Sequence, residues 1–473
     1  MRLNDTTAVA VLCTASTGAL YAASRDIAPF GPLVLIAPIP ILLYALSAAR
    51  TWRAFATAFV ARGLGASSFV YAYADALPAS ILALATVAAS LEFAIVVVLT
   101  RLATERLPAW AAALSFPLLA TATEFLLQIP SPHGTFGALG HALIDVLPLV
   151  QVASIGGVAA VSFVAALIPM TITLLLYAPT RWRPVLAVGA SPILIVAIYG
   201  LWRLSIPYED RARIALASID ALTFRAVEDP SQGSNVAGAY AELIQAFQGQ
   251  QLEAVVLPER VFVDAPGSAA SASALLQDAA DRIDARIVAG FDEVLGDGQH
   301  ANTARVFSPQ APRLTYVKRR LVPGLESSLA PGHEPLLIDD RGVAICKDLD
   351  FAPMIREYGE RGASLMFVPA WDFTLDGRMH SRMAVMRGIE NGFAIARAAA
   401  MGRLTASDAF GRIVSEAITS SRGPTMLVAD VGLVSKRTIY SRIGDVFAWL
   451  AVAGASVLLI AMMRASRREA QPS

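Results

Sequence analysis

A lone cysteine closes an apolar, β-rich run in the second half of the chain. The run 342–345 is followed at once by Cys346, and then by Lys347 and Asp348. The thiolate is the reactive form of cysteine, and neighbouring charges control how readily it forms. A single cysteine in a strand is more often a small hydrophobic core residue. Other residues must therefore decide whether Cys346 is a nucleophile.

Two further charged residues stand at the ends of apolar runs. Glu259 follows the run 255–258, and Lys318 follows the run 314–317. Strand ends at one edge of an α/β sheet commonly carry functional side chains. A carboxylate that takes the thiol proton, an ammonium group that stabilises an oxyanion and a thiol that attacks would together perform acyl transfer. The pattern predicts an acyl-transfer site made of Glu259, Lys318 and Cys346.

The elements that must position these residues alternate between strand-like and helix-like patterns over 204–443. The predicted strands are 213–221, 253–257, 287–291, 304–307, 315–317, 342–345, 365–368 and 394–400, and the predicted helices are 233–248, 269–283, 352–361 and 380–391. Strands interleaved with helices are typical of an α/β layered domain. We therefore expect 204–443 to be a catalytic domain of ordinary size.

The rest of the chain has the composition of a membrane protein. Of the 473 residues, 55% are hydrophobic and only 16% are charged, and the mean hydropathy is +0.55. Soluble domains are about a quarter charged. Apolar segments occur at 7–23, 29–48, 54–73, 78–100, 108–127, 148–178, 184–203 and 445–463. Most approach the ~20 residues that cross a bilayer.

These segments predict four parts of the chain. They are a seven-helix transmembrane region (1–203), the catalytic domain (204–443), an eighth transmembrane helix (444–463) and a tail (464–473). The net charge of zero gives no indication of nucleic-acid binding. The five histidines are scattered and the two cysteines, Cys13 and Cys346, lie in different parts, so we expect no metal, cofactor or disulfide.

Arginines in the connections predict the orientation. They occur after every second apolar segment, at Arg50, Arg53, Arg101, Arg106, Arg181, Arg183, Arg464, Arg467 and Arg468. The first connection has only Arg25 beside Asp26, and the connections 74–77 and 128–147 have no Lys or Arg. By the positive-inside rule, both termini are cytoplasmic and 204–443 is extracytoplasmic.

Three ionisable residues, Arg62, Glu92 and Glu124, fall inside apolar segments. Such residues usually face the bundle interior or a watery cavity and pair with one another. A structural arginine–carboxylate pair, or a helix end that lies nearer the membrane interface, is favoured over a lipid-headgroup or access site. The connection 129–137 is rich in Pro and Gly and is a candidate re-entrant or interfacial loop on the outer face.

Short motifs around the three candidate residues resemble those of the nitrilase superfamily. They are Leu257-Pro258-Glu259, Lys318-Arg319 with Leu321-Val322-Pro323, and Ile345-Cys346. With its predicted membrane helices, the whole chain resembles the apolipoprotein N-acyltransferase family, a polytopic branch of that superfamily. Further likeness lies at Glu326, Trp371-Asp372, 380–390 and 440–450.

The resemblance implies a multi-pass α-helical membrane bundle with an αββα sandwich. It assigns Cys346 as nucleophile, Glu259 as general base, Lys318 as oxyanion stabiliser and Glu326 as a supporting carboxylate. The implied donor is the sn-1 acyl chain of a phospholipid, and the acceptor is the N-terminal diacylglyceryl-cysteine of a lipoprotein. The implied location is the bacterial cytoplasmic (inner) membrane.

The chain departs from the family pattern at two motifs. It has Cys346-Lys347-Asp348 where the family usually has Cys-Tyr-Glu, and Gly324-Leu325-Glu326 where the family usually has Phe-Gly-Glu. Lys347 adds a cation that could favour the thiolate or point to solvent. The alternatives are a membrane-tethered amidase or hydrolase, in which water replaces the amine, and an N-acyltransferase that uses a different amine. A third is a non-catalytic scaffold, which the intact triad disfavours.

Overall fold

The fold is that of a computed structural model, which describes residues 3–24, 27, 30–264, 271–295, 299–434 and 436–469. Arg25 and Asp26 lie outside these residues. The chain divides into two compact units. The first comprises residues up to Ser131, from Phe136 to Ser205 and from Ile443 onwards, and the second comprises Pro132–Thr135 and Ile206–Arg442. The main boundaries between the two units lie at 205/206 and 442/443.

The helices make up most of the first unit and flank the sheets of the second. The α-helices are α1 Thr7–Ser24, α2 Ile39–Ser47, α3 Thr51–Gly65, α4 Ser67–Tyr73, α5 Ala79–Arg106, α6 Ala109–Gln128, α7 Leu147–Val150, α8 Ala153–Tyr177, α9 Trp182–Val188, α10 Ala190–Leu204, α11 Arg225–Glu228, α12 Gly233–Gln245, α13 Ala272–Ile283, α14 Ala352–Glu360, α15 Gly377–Asn391, α16 Ile439–Ile443 and α17 Val446–Glu469. Short 3₁₀ helices lie at Gly31–Leu35, Leu139–Leu143, Pro179–Arg181, Asp220–Leu222, Pro230–Gln232 and Cys346–Asp350.

Six helices among the described residues are long and apolar enough to cross a membrane. They are α1, α5, α6, α8, the run Pro179–Leu204 and the run Val446–Arg468. The predicted segments 29–48 and 54–73 are each divided into shorter helices. Prolines stand in the first turn of both helices of the first segment. Proline is tolerated at that position but not inside a helix, so the segment does not form one continuous helix. In the second, α3 ends at Gly65, a residue of low helix propensity.

The ionisable residues inside the apolar segments have protein partners. Glu124 accepts hydrogen bonds from the Ser162 hydroxyl at 2.6 Å and the Leu139 N–H at 2.7 Å. Glu92 accepts one from the Thr123 hydroxyl at 2.5 Å. The Arg62 guanidinium lies 5.8 Å from the centre of the Tyr21 ring. These contacts offset part of the cost of placing charge in an apolar bundle.

The second unit contains two six-stranded mixed sheets. The strands are β1 Asp210–Ser218, β2 Ala254–Val256, β3 Arg286–Val294, β4 His300–Phe307, β5 Leu314–Val317, β6 Leu336–Ile338, β7 Arg341–Val343, β8 Leu365–Trp371, β9 Ala394–Ala400, β10 Arg403–Ser407, β11 Ile413–Ile418 and β12 Thr425–Leu433. Their orders are β12-β1-β2-β3-β4-β5 and β11-β10-β9-β8-β7-β6. In each sheet three adjacent strands are parallel, β1–β2–β3 and β7–β8–β9.

Three layers of buried side chains hold this unit together. One lies between the sheets and includes Ile214, Val256 and Phe367. A second packs α12 and α13 on the first sheet, and a third packs α14 and α15 on the other. The helices cover the outer faces because each has an apolar side that needs a partner. The unit is an αββα sandwich, which confirms the predicted fold class.

Candidate active site

Cys346 lies where strand β7 has given way to a tight turn. Val343, the last residue of β7, pairs with Phe367 in the parallel strand β8. Two buried residues later, Cys346 begins the 3₁₀ helix Cys346–Asp350 with φ of +39°. A non-glycine residue in this left-handed region is strained, and such strain is commonly found at functional sites. The turn lifts the thiol out of the strand direction.

Lys318 and two carboxylates form a buried cluster. The Lys318 ammonium donates to Glu259 Oε1 at 2.6 Å and to Glu326 Oε2 at 2.8 Å. Lys318 is 1% exposed, Glu259 3% and Glu326 4%. Two buried carboxylates around one ammonium leave a net negative charge in the cluster. The structure thus brings together three residues that are distant in the sequence, since Glu259 and Glu326 are 67 positions apart.

The backbone that carries Glu259 is held against both sheets. Its N–H donates to the carbonyl of Ala370 in β8 at 3.1 Å. Gly290 of β3 lies beside it, and a Cβ there would lie 2.5 Å from Glu259 Cα. Only glycine permits this approach. The loop after β2 therefore turns Glu259 inward rather than toward solvent.

The thiol of Cys346 is half-buried and close to these charges. Its Sγ donates to the carbonyl of Trp371 at 3.3 Å. Burial and the negative charge of Glu259 raise the pKa of the Cys346 thiol well above its ordinary value, against the opposing effect of Lys318 and Arg397. The resting cysteine is therefore a neutral thiol. A base must take its proton as it attacks.

The charges of Lys318 and Glu326 are stabilised by their partners. Burial opposes the charged form of Lys318, but Glu259 and Glu326 outweigh it and raise the pKa of that amine. Burial also opposes the Glu326 carboxylate, yet Lys318 and the Val322 N–H lower the pKa of Glu326. Lys318 is thus a permanent cation beside the thiol. It can stabilise negative charge that develops on a carbonyl oxygen.

The Trp371-Asp372 motif also lies beside the cysteine. The Asp372 carboxylate accepts two hydrogen bonds from the Arg397 guanidinium, at 3.0 and 2.5 Å. Both residues are buried. The Trp371 ring contacts Phe224 and Phe373, with ring centres 5.0 and 4.7 Å apart. The carbonyl that accepts the Cys346 thiol therefore belongs to a residue that packs against two aromatic rings and is followed directly by a buried charged pair.

Lys347 is turned into the protein rather than toward solvent. It is 7% exposed. Its ammonium donates to Asp350 Oδ2 at 3.1 Å and lies 3.2 Å from His133 Nδ1. Thr135 donates to the Asp350 carbonyl from its N–H at 2.8 Å and from its hydroxyl at 2.9 Å. The Pro132–Thr135 segment thus packs on the turn that carries the cysteine.

Asn302 is a site residue that the motifs do not reveal. It is 0% exposed, and its side-chain nitrogen donates to Glu259 Oε1 at 2.6 Å and to Glu326 Oε1 at 2.7 Å. The sequence pattern predicts a strand over 304–307, whereas β4 begins at His300. Asparagine is depleted in strands, so no signal in the sequence places position 302 in a strand or at the site.

Two family models match this chain. The apolipoprotein N-acyltransferase N-terminal domain matches residues 17–171, and the carbon-nitrogen hydrolase domain matches residues 230–439. The first lies in the helical unit. The second spans Glu259, Lys318, Glu326 and Cys346.

Curated relatives carry the same family name. The chain is 26% identical over 386 residues to apolipoprotein N-acyltransferase of Geobacter metallireducens, which covers 73% of each chain. It is 37% identical over 114 residues to apolipoprotein N-acyltransferase 1 of Treponema pallidum, covering 22% of this chain and 20% of the relative.

A comparison with solved structures finds Nit3 of Saccharomyces cerevisiae, a member of the nitrilase superfamily. The TM-score is 0.39 at 21% identity, over 48% of this chain and 92% of Nit3.

Two domain models in the family's order and a relative that matches across both units identify the chain. It belongs to the apolipoprotein N-acyltransferase family of the nitrilase superfamily.

Proposed function

We propose that this protein transfers a fatty acyl chain from a phospholipid to the N-terminal diacylglyceryl-cysteine of lipoproteins, through a thioester on Cys346. The observation that carries the proposal is the buried convergence of Glu259 and Lys318 beside the Cys346 thiol. The family supplies the lipoprotein substrate, since the relatives are named apolipoprotein N-acyltransferases. Several apolar helices in the same chain support a lipid donor.

In the first half-reaction, Glu259 takes the proton of the Cys346 thiol as sulfur attacks the sn-1 ester carbonyl. The carbonyl oxygen gains negative charge, which the Lys318 ammonium stabilises. The ester C–O bond then breaks, and protonated Glu259 returns its proton to the departing lysophospholipid oxygen. A thioester on Cys346 remains. Glu326 supports this step because it shares the Lys318 ammonium with Glu259.

In the second half-reaction, the α-amine of the lipoprotein cysteine attacks the thioester carbonyl. Glu259 accepts a proton from the attacking nitrogen, and Lys318 again stabilises the oxyanion. The C–S bond breaks, and the Cys346 sulfur recovers a proton from Glu259. The products are an N-acylated lipoprotein and the free thiol. Atoms and charges balance over the two steps.

We also propose a location in the bacterial cytoplasmic (inner) membrane, with both termini cytoplasmic and residues 204–443 outside. The alternation of arginines between the connections supports this orientation. A reporter enzyme that is active only outside the membrane, fused after Leu204, should be active. Activity at that fusion point from cytoplasmic reporters alone would contradict the orientation.

The test of the reaction uses purified protein in nanodiscs that contain phospholipid labelled in the sn-1 acyl chain, without acceptor. Label should accumulate on Cys346 and be released by hydroxylamine, because a transferase protects its thioester until an amine arrives. Addition of a diacylated lipopeptide should move the label onto the peptide amine. Cys346→Ala should acquire none.

The same experiment distinguishes the alternative reactions. An amidase would not accumulate label from phospholipid, and it would release free acid from a small amide. An N-acyltransferase with another acceptor would acquire label on Cys346 but leave the lipopeptide unmodified. Absence of label on Cys346 together with an unmodified lipopeptide would overturn the proposed function.

A further inference from the structure

One asparagine contacts the three charged residues of the candidate active site. The Asn302 side-chain nitrogen donates to Glu259 Oε1 at 2.6 Å and to Glu326 Oε1 at 2.7 Å. Its backbone carbonyl accepts the Lys318 N–H at 2.8 Å. Asn302 therefore touches both carboxylates through its side chain and the lysine through its backbone.

The strand ladder fixes where this side chain lies. Asn302 pairs with Asp292 of the antiparallel strand β3, and the next residue, Thr303, pairs with Val317 of β5. Neighbours on both sides hold the backbone of β4. Neither carboxylate could accept a bond from a carbonyl oxygen, so the amide nitrogen must face them. The orientation of the Asn302 amide group thus follows from the two carboxylates, which can accept hydrogen bonds but not donate them.

The two donors to Glu259 converge on the same oxygen. Lys318 and Asn302 both donate to Oε1, while Oε2 has no hydrogen-bond partner among the residues that the structure describes. A carboxylate held through one oxygen presents the lone pairs of the other. Oε2 is therefore the atom of Glu259 that is able to take a proton.

Lys318 alone would not fix this orientation. Its ammonium is shared with Glu326, and an ammonium group has no planar geometry that would favour one carboxylate orientation over another. The amide of Asn302 is planar and comes from a rigid strand. The Asn302 amide donates to both carboxylates and so holds them close to each other, although their like charges repel.

We propose that Asn302 is a positioning residue that selects Oε2 of Glu259 as the proton acceptor for the Cys346 thiol. This inference rests on the proposed function, since it concerns the base of the acylation step. Asn302 does not touch the substrate in this role. Its loss should lower the rate of acylation and leave the binding of phospholipid unchanged.

The test measures single-turnover acylation of Cys346 by labelled phospholipid as a function of pH. Asn302→Ser shortens the side chain and removes both bonds, and Asn302→Asp keeps the shape but adds a third carboxylate. We expect acylation to fall about 100-fold, the usual order for a misplaced catalytic group. The KM for phospholipid should not change. The acid limb of the pH profile should shift upward, further for Asn302→Asp, because Glu259 loses a donor to its charged form.

The matched control is Thr303→Val at the adjacent position of β4. Thr303 is also fully buried, and its hydroxyl donates to Glu293 Oε2 at 3.2 Å. Thr303→Val should keep the wild-type rate and pH profile. Folding of every variant is checked by its thermal denaturation midpoint in detergent.

Several outcomes would overturn the inference. Folded Asn302 variants with the wild-type rate and acid limb would do so, and so would a fall in rate with no shift of the acid limb. Failure of both variants to fold, while Thr303→Val folds, would make Asn302 a structural residue only. A wild-type protein that acquires no label would instead overturn the proposed function.

Discussion

The hydroxyl of Tyr316 donates a hydrogen bond to Asp348 Oδ2 at 2.8 Å. Tyr316 stands two residues before Lys318, and Asp348 stands two residues after Cys346. Both side chains are buried. This hydrogen bond joins strand β5, which precedes Lys318, to the 3₁₀ turn that begins at Cys346.

Asp348 completes this connection with its backbone partners. It accepts the N–H of Arg320 at 2.8 Å and that of Ile345 at 3.0 Å. One carboxylate therefore binds the chain after Lys318 and the chain before Cys346. Burial nevertheless raises the pKa of Asp348 to about 6, against the opposing effect of these donors. The aspartate, where the family usually has a glutamate, reaches all its partners with the shorter side chain.

The first prediction concerns Tyr316→Phe. It removes one hydrogen bond to Asp348 and should lower the free energy of unfolding by about 1–2 kcal/mol. Because Lys318 would then be less well fixed relative to Cys346, acylation should also fall. Tyr240→Phe is the control, since its buried hydroxyl accepts the Ile219 N–H at 2.9 Å on the α12 side. It should lose stability but keep the acylation rate. Equal acylation rates in the two variants would contradict a role of the Tyr316–Asp348 hydrogen bond in positioning Lys318.

The second prediction concerns the buried ion pair of Lys347 and Asp350. Lys347→Met leaves the Asp350 carboxylate buried without its cation, and should destabilise the protein by about 3–5 kcal/mol. The double variant Lys347→Met/Asp350→Leu removes both charges and should recover most of that loss. Thermal denaturation of the two single variants and the double variant measures the coupling. A double variant no more stable than Lys347→Met would show that the pair is not coupled.

The acylation rate of the same double variant separates structure from chemistry. Lys347 is neutralised by Asp350 at 3.1 Å, so we expect the double variant to acylate Cys346 at a rate near that of the wild type. A loss of acylation in a stable double variant would instead mean that the Lys347 charge acts on the thiol.

The fold and much of the candidate site were predictable because they follow from local pattern. Glu259, Lys318 and Cys346 each close an apolar run, although the strands before them are not neighbours: β2 and β5 belong to one sheet and β7 to the other. Strand-like and helix-like patterns over 204–443 were sufficient to predict the layered α/β class of this region. Family resemblance added Glu326, which lies in a loop that has no periodicity of its own.

Features that depend on tertiary contacts were not predictable. Asn302 lies outside the predicted strand 304–307 because His300 and Thr303 break its apolar pattern, although β3 and β5 pair with these residues. The inward direction of Lys347 depends on Asp350 and on His133, which is 214 positions away. Likewise, the helix ends at Gly65 within the segment 54–73, which its average composition predicts as a single apolar span.

The third prediction concerns pH and His380. Burial opposes protonation of this imidazole, but Asp376, whose Oδ2 lies 3.0 Å from His380 Nε2, outweighs it and raises the pKa to about 9. A raised pKa means that the imidazolium stabilises the folded state below about pH 6.5, the unfolded value. That stabilisation is lost as pH rises through about 9, and its upper limit is about 3 kcal/mol.

The measurement compares the denaturation midpoints of wild type and His380→Gln between about pH 6 and pH 10. The wild type should be the more stable protein at the lower end, and the difference should shrink as the pH increases. Asp372 and Asp350 also raise this pKa, so Asp376→Asn should reduce the pH dependence without abolishing it. A constant difference across the range would contradict the assignment.

The last prediction concerns the three residues that we assign to catalysis. Cys346→Ala, Glu259→Gln and Lys318→Met should each abolish transfer of label from phospholipid to lipopeptide. The double variants should be hardly worse than the singles, because residues that act as one unit are not additive. Cys13→Ala is the matched control, since it removes the other cysteine of the chain, in α1. It should acquire label on Cys346 as the wild type does. The lysine and glutamate variants also disturb the buried cluster. The activity of each variant is therefore compared with that of the wild type at the same concentration of folded protein. Near-normal transfer by Cys346→Ala would remove the thioester mechanism, because no other residue of the proposed reaction supplies a sulfur nucleophile.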